Sequence, residues 1–269
     1  MTDTENGFRF GLIGWPLVFS LSPLIHEEFF RSSGLSGEYA PYPVFPNRFT
    51  KSVSELFNSG ITGLNVTYPH KAAAAEMCNE ISNDAKGSGV INTMKAVGRH
   101  IAGYNTDIYG FDRCIDDNGL IEPFFIVGSG GAARAVDYVM HKKHLRYGLY
   151  CRNPENWTGF SSAMKLDELN DALRRTDGGT VVNATTLGWK NDDAFPVEKS
   201  LLENRIFADM NYNRNWHWRN DLHVNQVEVY TGEVMLVNQA ARSFEIWTGI
   251  APDIDEVLEM VRKRLEEGS

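Results

Sequence analysis

The sequence predicts a two-domain α/β protein, and three observations carry that prediction. Short apolar runs alternate with amphipathic stretches from Phe8 onward, and the alternation restarts at Phe124-Phe125-Ile126-Val127. The chain has 269 residues, 42% of them hydrophobic and 12% aromatic, enough for two modest cores.

The first run, Phe8 to Ile13, ends at Gly14 and Pro16 and reads as a strand and turn. Ser22-Pro23 reads as a helix start, with Ser22 as N-cap and Pro23 as the first helical residue. Leu24, Ile25, Phe29 and Phe30 supply its apolar face and Gly34 its stop. There follow a strand near Glu38 to Val44, a helix near Asn47 to Asn58, a strand at Gly63 to Thr67, a helix from about His70 and a strand pair around Ile91 to Tyr104. The second series runs from Phe124 to Val127 through a glycine-rich turn into a helix ending among Lys142, Lys143 and His144. Strands follow near Tyr147 to Cys151 and Thr180 to Ala184, with a helix between them, and another near Ile206 to Met210. At the end, Val237, Ala240, Ala241, Phe244 and Trp247 share one helix face before Gly249. Ile254, Val257, Leu258, Val261 and Leu265 repeat the pattern, and Arg262, Lys263 and Arg264 suit the helix end.

Thirty-five acidic residues against 26 basic ones give a net charge of −9, which argues against nucleic acid and anionic membrane as partners. An anionic ligand must then be held by local donors: hydroxyls, backbone N–H groups and one or two placed cations. Cys78, Cys114 and Cys151 are widely spaced and odd in number, which suggests neither disulfides nor a zinc cluster. The polar Met1–Asn6 segment lacks the pattern of a signal peptide, and no run approaches the ~20 apolar residues of a membrane span. The expectation is a cytoplasmic protein. His141 and His144 fall in a basic surface patch, so no metal is assigned.

Gly128, Gly130 and Ala133 fit G-x-G-x-x-A between a strand and a helix, the spacing that lets a pyrophosphate approach a helix N-terminus. A tight strand–helix turn without ligand is the alternative, and the flanking elements favour dinucleotide binding. The next strand ends at Arg152-Asn153. An arginine there accommodates the 2′-phosphate of NADP, whereas a solvated surface arginine is the bland alternative and Glu155 pulls the other way. Lys71 and Asp107 lie on loops of the first series and suit an acid–base pair, although spacing alone favours two solvated surface charges. Ser20, Ser22 and Thr67 offer hydroxyls for a polyol or carboxylate, with a helix cap and a strand residue as the structural alternatives for the last two.

Seven stretches in order resemble the shikimate dehydrogenase family: Ser20-Leu21-Ser22-Pro23, Asn65-Val66-Thr67-x-Pro69-x-Lys71, Val90-Ile91-Asn92-Thr93, Gly103-Tyr104-Asn105-Thr106-Asp107, Gly128-Ser129-Gly130-Gly131-Ala132, Asn183-Ala184-Thr185-x-x-Gly188 and Met235-Leu236-Val237-Asn238-Gln239-Ala240-Ala241. The resemblance implies an α/β substrate-binding domain at 1–106, completed by helices at 238–269, a Rossmann-type NADP-binding domain at 107–237, and a cleft between them. It implies reduction of 3-dehydroshikimate to shikimate with NADPH, on the pathway to chorismate and aromatic amino acids, by a monomer or homodimer. Carried over, Lys71 and Asp107 are the catalytic pair. Ser20 and Ser22 hold the substrate carboxylate, with Tyr212 near it, and Thr67, Lys71, Asn92, Asp107 and Gln239 hold the ring hydroxyls. Gly128, Ser129, Gly130, Gly131, Ala132, Arg152, Asn153, Thr185 and Gly232 fall to the cofactor.

Three places depart from the family pattern, one of them Tyr68 and His70 beside the catalytic loop, where variation need not disturb Lys71. Cys151-Arg152-Asn153-Pro154-Glu155 keeps one basic residue where two are usual, and an Asn-, Trp- and His-rich stretch at 211–225 replaces a proline and a Thr-Pro-Leu-Leu pattern. The rival readings are a quinate or shikimate dehydrogenase relative using NAD, and a catalytically weak sensor of dinucleotide and shikimate. Retention of both Lys71 and Asp107 argues against the sensor.

Overall fold

The computed structural model describes residues 7–17, 20–224 and 227–267; the Met1–Asn6 segment and Asn225 at the end of the Asn-rich stretch lie outside them. The chain divides into two compact units, residues 1–110 with 236–261 and residues 111–235 with 262–269. The expected boundaries at 106/107 and 237/238 differ from these by a few residues, and the expectation that all of 238–269 joins the first unit differs more. The end of the last helix groups with the second unit, where Arg262 pairs with Glu233 at 3.8 Å and Glu266 with Arg214 at 3.6 Å.

The first unit holds β1 (Phe8–Gly14), α1 (Ser22–Ser32), β2 (Gly37–Pro43), α2 (Phe49–Asn58), β3 (Gly63–Val66), α3 (Lys71–Met77), β4 (Glu80–Ile81), α4 (Asn83–Ser88), β5 (Thr93–Val97) and β6 (His100–Tyr104). The six strands bond in the order β2-β1-β3-β5-β6-β4. Strands β1, β2 and β3 are parallel, whereas β5 runs antiparallel to both β3 and β6. Alternation along β1 sends Phe10 to one face, where its ring lies 5.6 Å from Phe30 and 4.5 Å from Trp247, and Ile13 to the other with Phe49, Val53, Leu64 and Ile91. Each such fully buried side chain contributes roughly 1.5–3 kcal/mol.

The second unit is built from α5 (Asp107–Asp117), which leads into it, and then β7 (Phe124–Val127), α6 (Gly131–Lys142), β8 (Tyr147–Cys151), β9 (Ala163–Lys165), α7 (Leu169–Arg174), β10 (Thr180–Asn183), β11 (Ile206–Asp209), α8 (His217–Val224) and β12 (Glu228–Tyr230). The order β12-β11-β10-β7-β8-β9, all parallel, is the doubly wound Rossmann arrangement, with its switch point between β7 and β10. Every residue of β7, β10 and β11 is buried, as a sheet covered on both faces requires. Two further helices close the chain, α9 (Glu233–Thr248), stopped at Gly249 with φ +79°, and α10 (Asp255–Glu267).

Several expectations change. Ser22 is the first residue of α1 and not its cap: Leu21 occupies the cap position, and the Ser22 N–H donates to Ser20 Oγ at 3.2 Å. Strands β4, β9 and β12 are not expected from the sequence, each being two or three residues long and therefore without a readable period. Nor is α4, which Ser82 caps by accepting from the Ala85 N–H. The 211–225 stretch, which carries no structural expectation, contains α8.

Candidate active site

Topology brings the candidate residues of the first unit to one edge. Because β1 and β3 are parallel and β6 runs the same way through the antiparallel β5, their carboxyl ends and the amino end of β5 all meet there. Ser20 and Ser22 follow β1, Thr67 and Lys71 follow β3, Asn92 precedes β5 and Asp107 follows β6.

Lys71 opens α3 after a turn closed by the His70 N–H donating to Thr67 O at 2.9 Å. His70 is the anchor of that turn: its buried ring stacks on Phe49 at 4.6 Å, Nε2–H donates to Val44 O at 2.8 Å, and burial lowers its pKa against the pull of that carbonyl. Lys71 Nζ donates to Asp107 Oδ2 at 2.5 Å, the lysine side chain 20% exposed and the aspartate 8%. Asp107 Oδ1 accepts from Asn92 Nδ2 at 2.9 Å, so both carboxylate oxygens are held.

Asn92 is in turn fully engaged. Its amide donates to Thr106 Oγ1 as well as to Asp107, and its carbonyl accepts from the Thr106 N–H at 2.7 Å and from Thr93 Oγ1 at 2.9 Å. Behind it, the hydroxyls of Thr93, Thr106 and Ser243 lie 2.8–3.2 Å apart, Asn65 donates to Ser243 Oγ at 2.9 Å, and Tyr39 OH donates to Asn65 Oδ1 at 2.9 Å. Gln239 reaches the same cluster through Thr106 at 3.5 Å. Sequence reasoning missed Tyr39, Thr106 and Ser243 as site residues, because single hydroxyls in a strand, a turn or a helix carry no periodic signal. Ser20 and Ser22 stand at the head of α1, where the Ser22 N–H donates to Ser20 Oγ and the Ser22 side chain reaches Tyr39 of the same network.

His26 closes this network from below. It is fully buried, stacked on Tyr39 at 4.1 Å, and neither ring nitrogen has a hydrogen-bond partner of normal geometry among the described residues. Burial lowers its pKa from 6.5 to about 3, the Asn65 amide opposing. Since the folded chain excludes a proton that the unfolded chain accepts, the stability tied to neutral His26 is complete above pH 6.5 and is lost as pH falls toward 3. The expected slope is about 1.4 kcal/mol per pH unit. Urea unfolding of the His26→Phe variant between pH 6.5 and 4.5 should show that slope removed; an unchanged slope refutes the assignment.

In the second unit the carboxyl ends of the parallel strands carry the remaining candidates. Gly128 follows β7 with φ +141°, and a Cβ there would lie 2.6 Å from Ala184 O. Ser129 and Gly130 are exposed, Gly130 caps α6 without a side chain, and a Cβ on it would meet nothing within 4 Å. Gly131 and Ala132 form the first turn of α6. Arg152 and Asn153 follow β8 and are exposed, and among the described residues the Arg152 side chain makes no hydrogen bond or ion pair. A second cation missed in the sequence, Arg134 of α6, donates to Thr158 Oγ1 at 2.9 Å and lies 5.3 Å over Trp157, on the loop that continues from Arg152. Thr185 follows β10 and bonds to Asn183, Tyr212 packs edge-on to Trp189 at 5.0 Å, and Gly232 lines a shallow concavity with Met210, Thr231 and Met235. Burial pushes the Cys114 thiol beside it up to about 12.

Residues 12–94 match the family model described as the shikimate dehydrogenase substrate binding domain, and residues 232–262 match the shikimate 5′-dehydrogenase C-terminal domain. A shikimate dehydrogenase (NADP(+)) of Methanopyrus kandleri is 32% identical over 95% of each chain. This chain belongs to the shikimate dehydrogenase family. A Thermus thermophilus shikimate dehydrogenase (NADP(+)) is 31% identical, over 96% of this chain and 98% of its own. The crystal structure of a shikimate 5-dehydrogenase from Thermus thermophilus in complex with NADP(H) and shikimate superposes with a TM-score of 0.82 at 28% identity, covering 95% of this chain and 99% of that one. The family's two-domain α/β fold is thus the one this chain adopts. Among its described residues no helix is long and apolar enough to cross a membrane.

Proposed function

We propose that this family member is a cytoplasmic NADP-dependent shikimate dehydrogenase that reduces 3-dehydroshikimate to shikimate, with the substrate held by the first unit and the cofactor by the second. The observation that carries the reading is the Lys71–Asp107 pair at 2.5 Å, placed at the carboxyl edge of the first sheet and oriented by Asn92.

The residues of the second unit fit a dinucleotide. Gly128 takes the positive-φ turn that a side chain would block against Ala184 O, Gly130 leaves the head of α6 uncovered, and Arg152 is a cation without a protein partner among the described residues. Bound NADPH supplies the hydride. As the substrate ketone is reduced, negative charge grows on its oxygen; the Lys71 ammonium stabilises that charge and donates the proton that completes the hydroxyl. Asp107 fixes the ammonium and accepts a ring hydroxyl, while Asn92, with both donors engaged, holds Asp107 in register. Ser20 and Ser22 bind the carboxylate, and Thr67 and Gln239 the ring hydroxyls.

Steady-state kcat/KM for shikimate and quinate, each with NADP and NAD, tests the reading. A clear preference for shikimate with NADP is expected, and preference for quinate or NAD, or binding without turnover, overturns it. Arg152→Ala should raise KM for NADP about 10- to 100-fold, the scale of a charge-assisted contact, and leave KM for NAD nearly unchanged. Equal effects on the two cofactors would remove Arg152 from 2′-phosphate recognition.

A further inference from the structure

The stretch at 211–225, which departs from the family pattern, supplies one partner of a buried ion pair and a fully buried tryptophan. Arg219 Nη1 of α8 donates to Asp209 Oδ2 at the end of β11 at 2.9 Å, with the two side chains 3% and 0% exposed. Arg219 Nη2 donates to Asn213 O at 2.5 Å. The other oxygen of Asp209 accepts from Asn183 Nδ2 at 2.9 Å and from the Asn211 N–H at 3.0 Å.

Every one of these partners grips the turn after β10. Asn183 Oδ1 accepts from the Thr185 N–H at 3.1 Å and from Thr185 Oγ1 at 2.7 Å. Asn211 Nδ2 donates to Thr185 O and Leu187 O at 3.2 and 2.8 Å, and Asn213 Nδ2 donates to Gly188 O at 2.6 Å. Trp216 packs against Gly188, where φ is +104° and a Cβ would come within 2.6 Å of the indole. The Trp216 Nε1–H donates to Asp193 O, and the Asp193 carboxylate accepts from the Gly188 N–H.

We infer that Arg219 is a positioning residue: paired with Asp209, it holds the Thr185–Gly188 turn as a fixed wall of the dinucleotide site at the sheet's switch point. This rests on the proposed cofactor role of the second unit. The turn follows β10, one of the two strands between which ligands of this sheet type bind. A buried ion pair is a poor device for stability alone, since apolar residues of similar volume do as well or better. What it adds is direction. Arg219 can satisfy Asp209 and Asn213 O together in one orientation only, and Asp209 can satisfy Asn183, the Asn211 N–H and Arg219 together in one only. The turn's geometry is therefore set from α8, through a pair buried beneath it.

The test uses the full chain with Asp209→Asn and Arg219→Met combined, so that no unpaired charge is left buried, and Arg219→Lys, which keeps the charge but loses the fork to Asn213 O. Amide hydrogen exchange of the unliganded protein at Leu187 and Gly188 is read beside calorimetric Kd values for NADPH and for shikimate. In the double variant, exchange at both amides and Kd for NADPH should each rise at least about tenfold, with Kd for shikimate unchanged. Arg219→Lys should show the same changes in smaller measure. Wild-type exchange or wild-type NADPH affinity in both variants, or an equal loss of shikimate binding, overturns the inference. Failure of the wild type itself to bind NADPH overturns the cofactor reading and the wall's role with it, while the exchange rates still report whether Arg219 holds the turn.

Discussion

Replacing Lys71 with methionine is expected to lower kcat for shikimate oxidation by roughly 10²–10⁴-fold, the range of a positioned general acid–base group. Kd for shikimate should change by less than about tenfold, because one donor among several hydroxyl contacts is lost. The prediction follows from the arrangement of the pair. Asp107 commits one oxygen to Lys71 and the other to Asn92, so the ammonium is held in place by a carboxylate that is itself held. On the proposed mechanism, loss of the ammonium takes from the developing oxyanion a stabilising charge and its proton source. Reduction and oxidation should suffer equally, since the same group serves both directions. Rapid-quench single turnovers beside equilibrium shikimate binding separate chemistry from affinity, and a kcat within about threefold of wild type would exclude Lys71 from proton transfer.

Gly128→Ala should abolish measurable NADP binding and destabilise the protein by about 2 kcal/mol or more. The residue has φ +141°, a region that side-chain-bearing residues occupy only at a cost of order 1–3 kcal/mol, and the new Cβ would sit 2.6 Å from the Ala184 carbonyl oxygen. That carbonyl belongs to the chain leaving β10, bonded to β7 along its length, so neither strand can retreat without breaking the ladder. The matching substitution two residues on, Gly130→Ala, meets open space and keeps an ordinary φ. It should leave thermal stability within about 0.5 kcal/mol of wild type while weakening NADP binding, because the methyl group intrudes where the pyrophosphate approaches the helix. Thermal unfolding and NADP titration of the two variants together check this. Equal stabilities would show that the strand–helix turn can relax, and undiminished NADP binding in Gly130→Ala would place the pyrophosphate elsewhere.

Much of the fold was legible because the elements that build it carry their own signals. The apolar runs that became β1, β3, β7, β10 and β11, the Ser-Pro start of α1, and glycines at Gly34 and Gly249 are local features, and local physics reads them. The short strands β4, β9 and β12 were not legible, since two or three residues show no period and exist only because a neighbouring strand offers partners. Helix α8 was missed for a related reason: among its described side chains the buried ones are an arginine and a leucine, after a tryptophan at its entrance, a set with no apolar stripe until Asp209 is placed opposite Arg219.

By itself, then, the sequence determined the element alternation, the glycine turn of the second unit and, through its ordered motifs, the family. Only the tertiary structure decided which side chains meet. Lys71 and Asp107 lie 36 residues apart, and Ser243 reaches Thr106 of the same network across 137. They converge because β5 runs against its neighbours, so that its amino end, with Asn92, reaches the edge where β3 and β6 finish. Strand order and direction are set by packing over the whole sheet, where no local propensity can specify them, and a hydrogen-bonded site strung across loops inherits its geometry from that order.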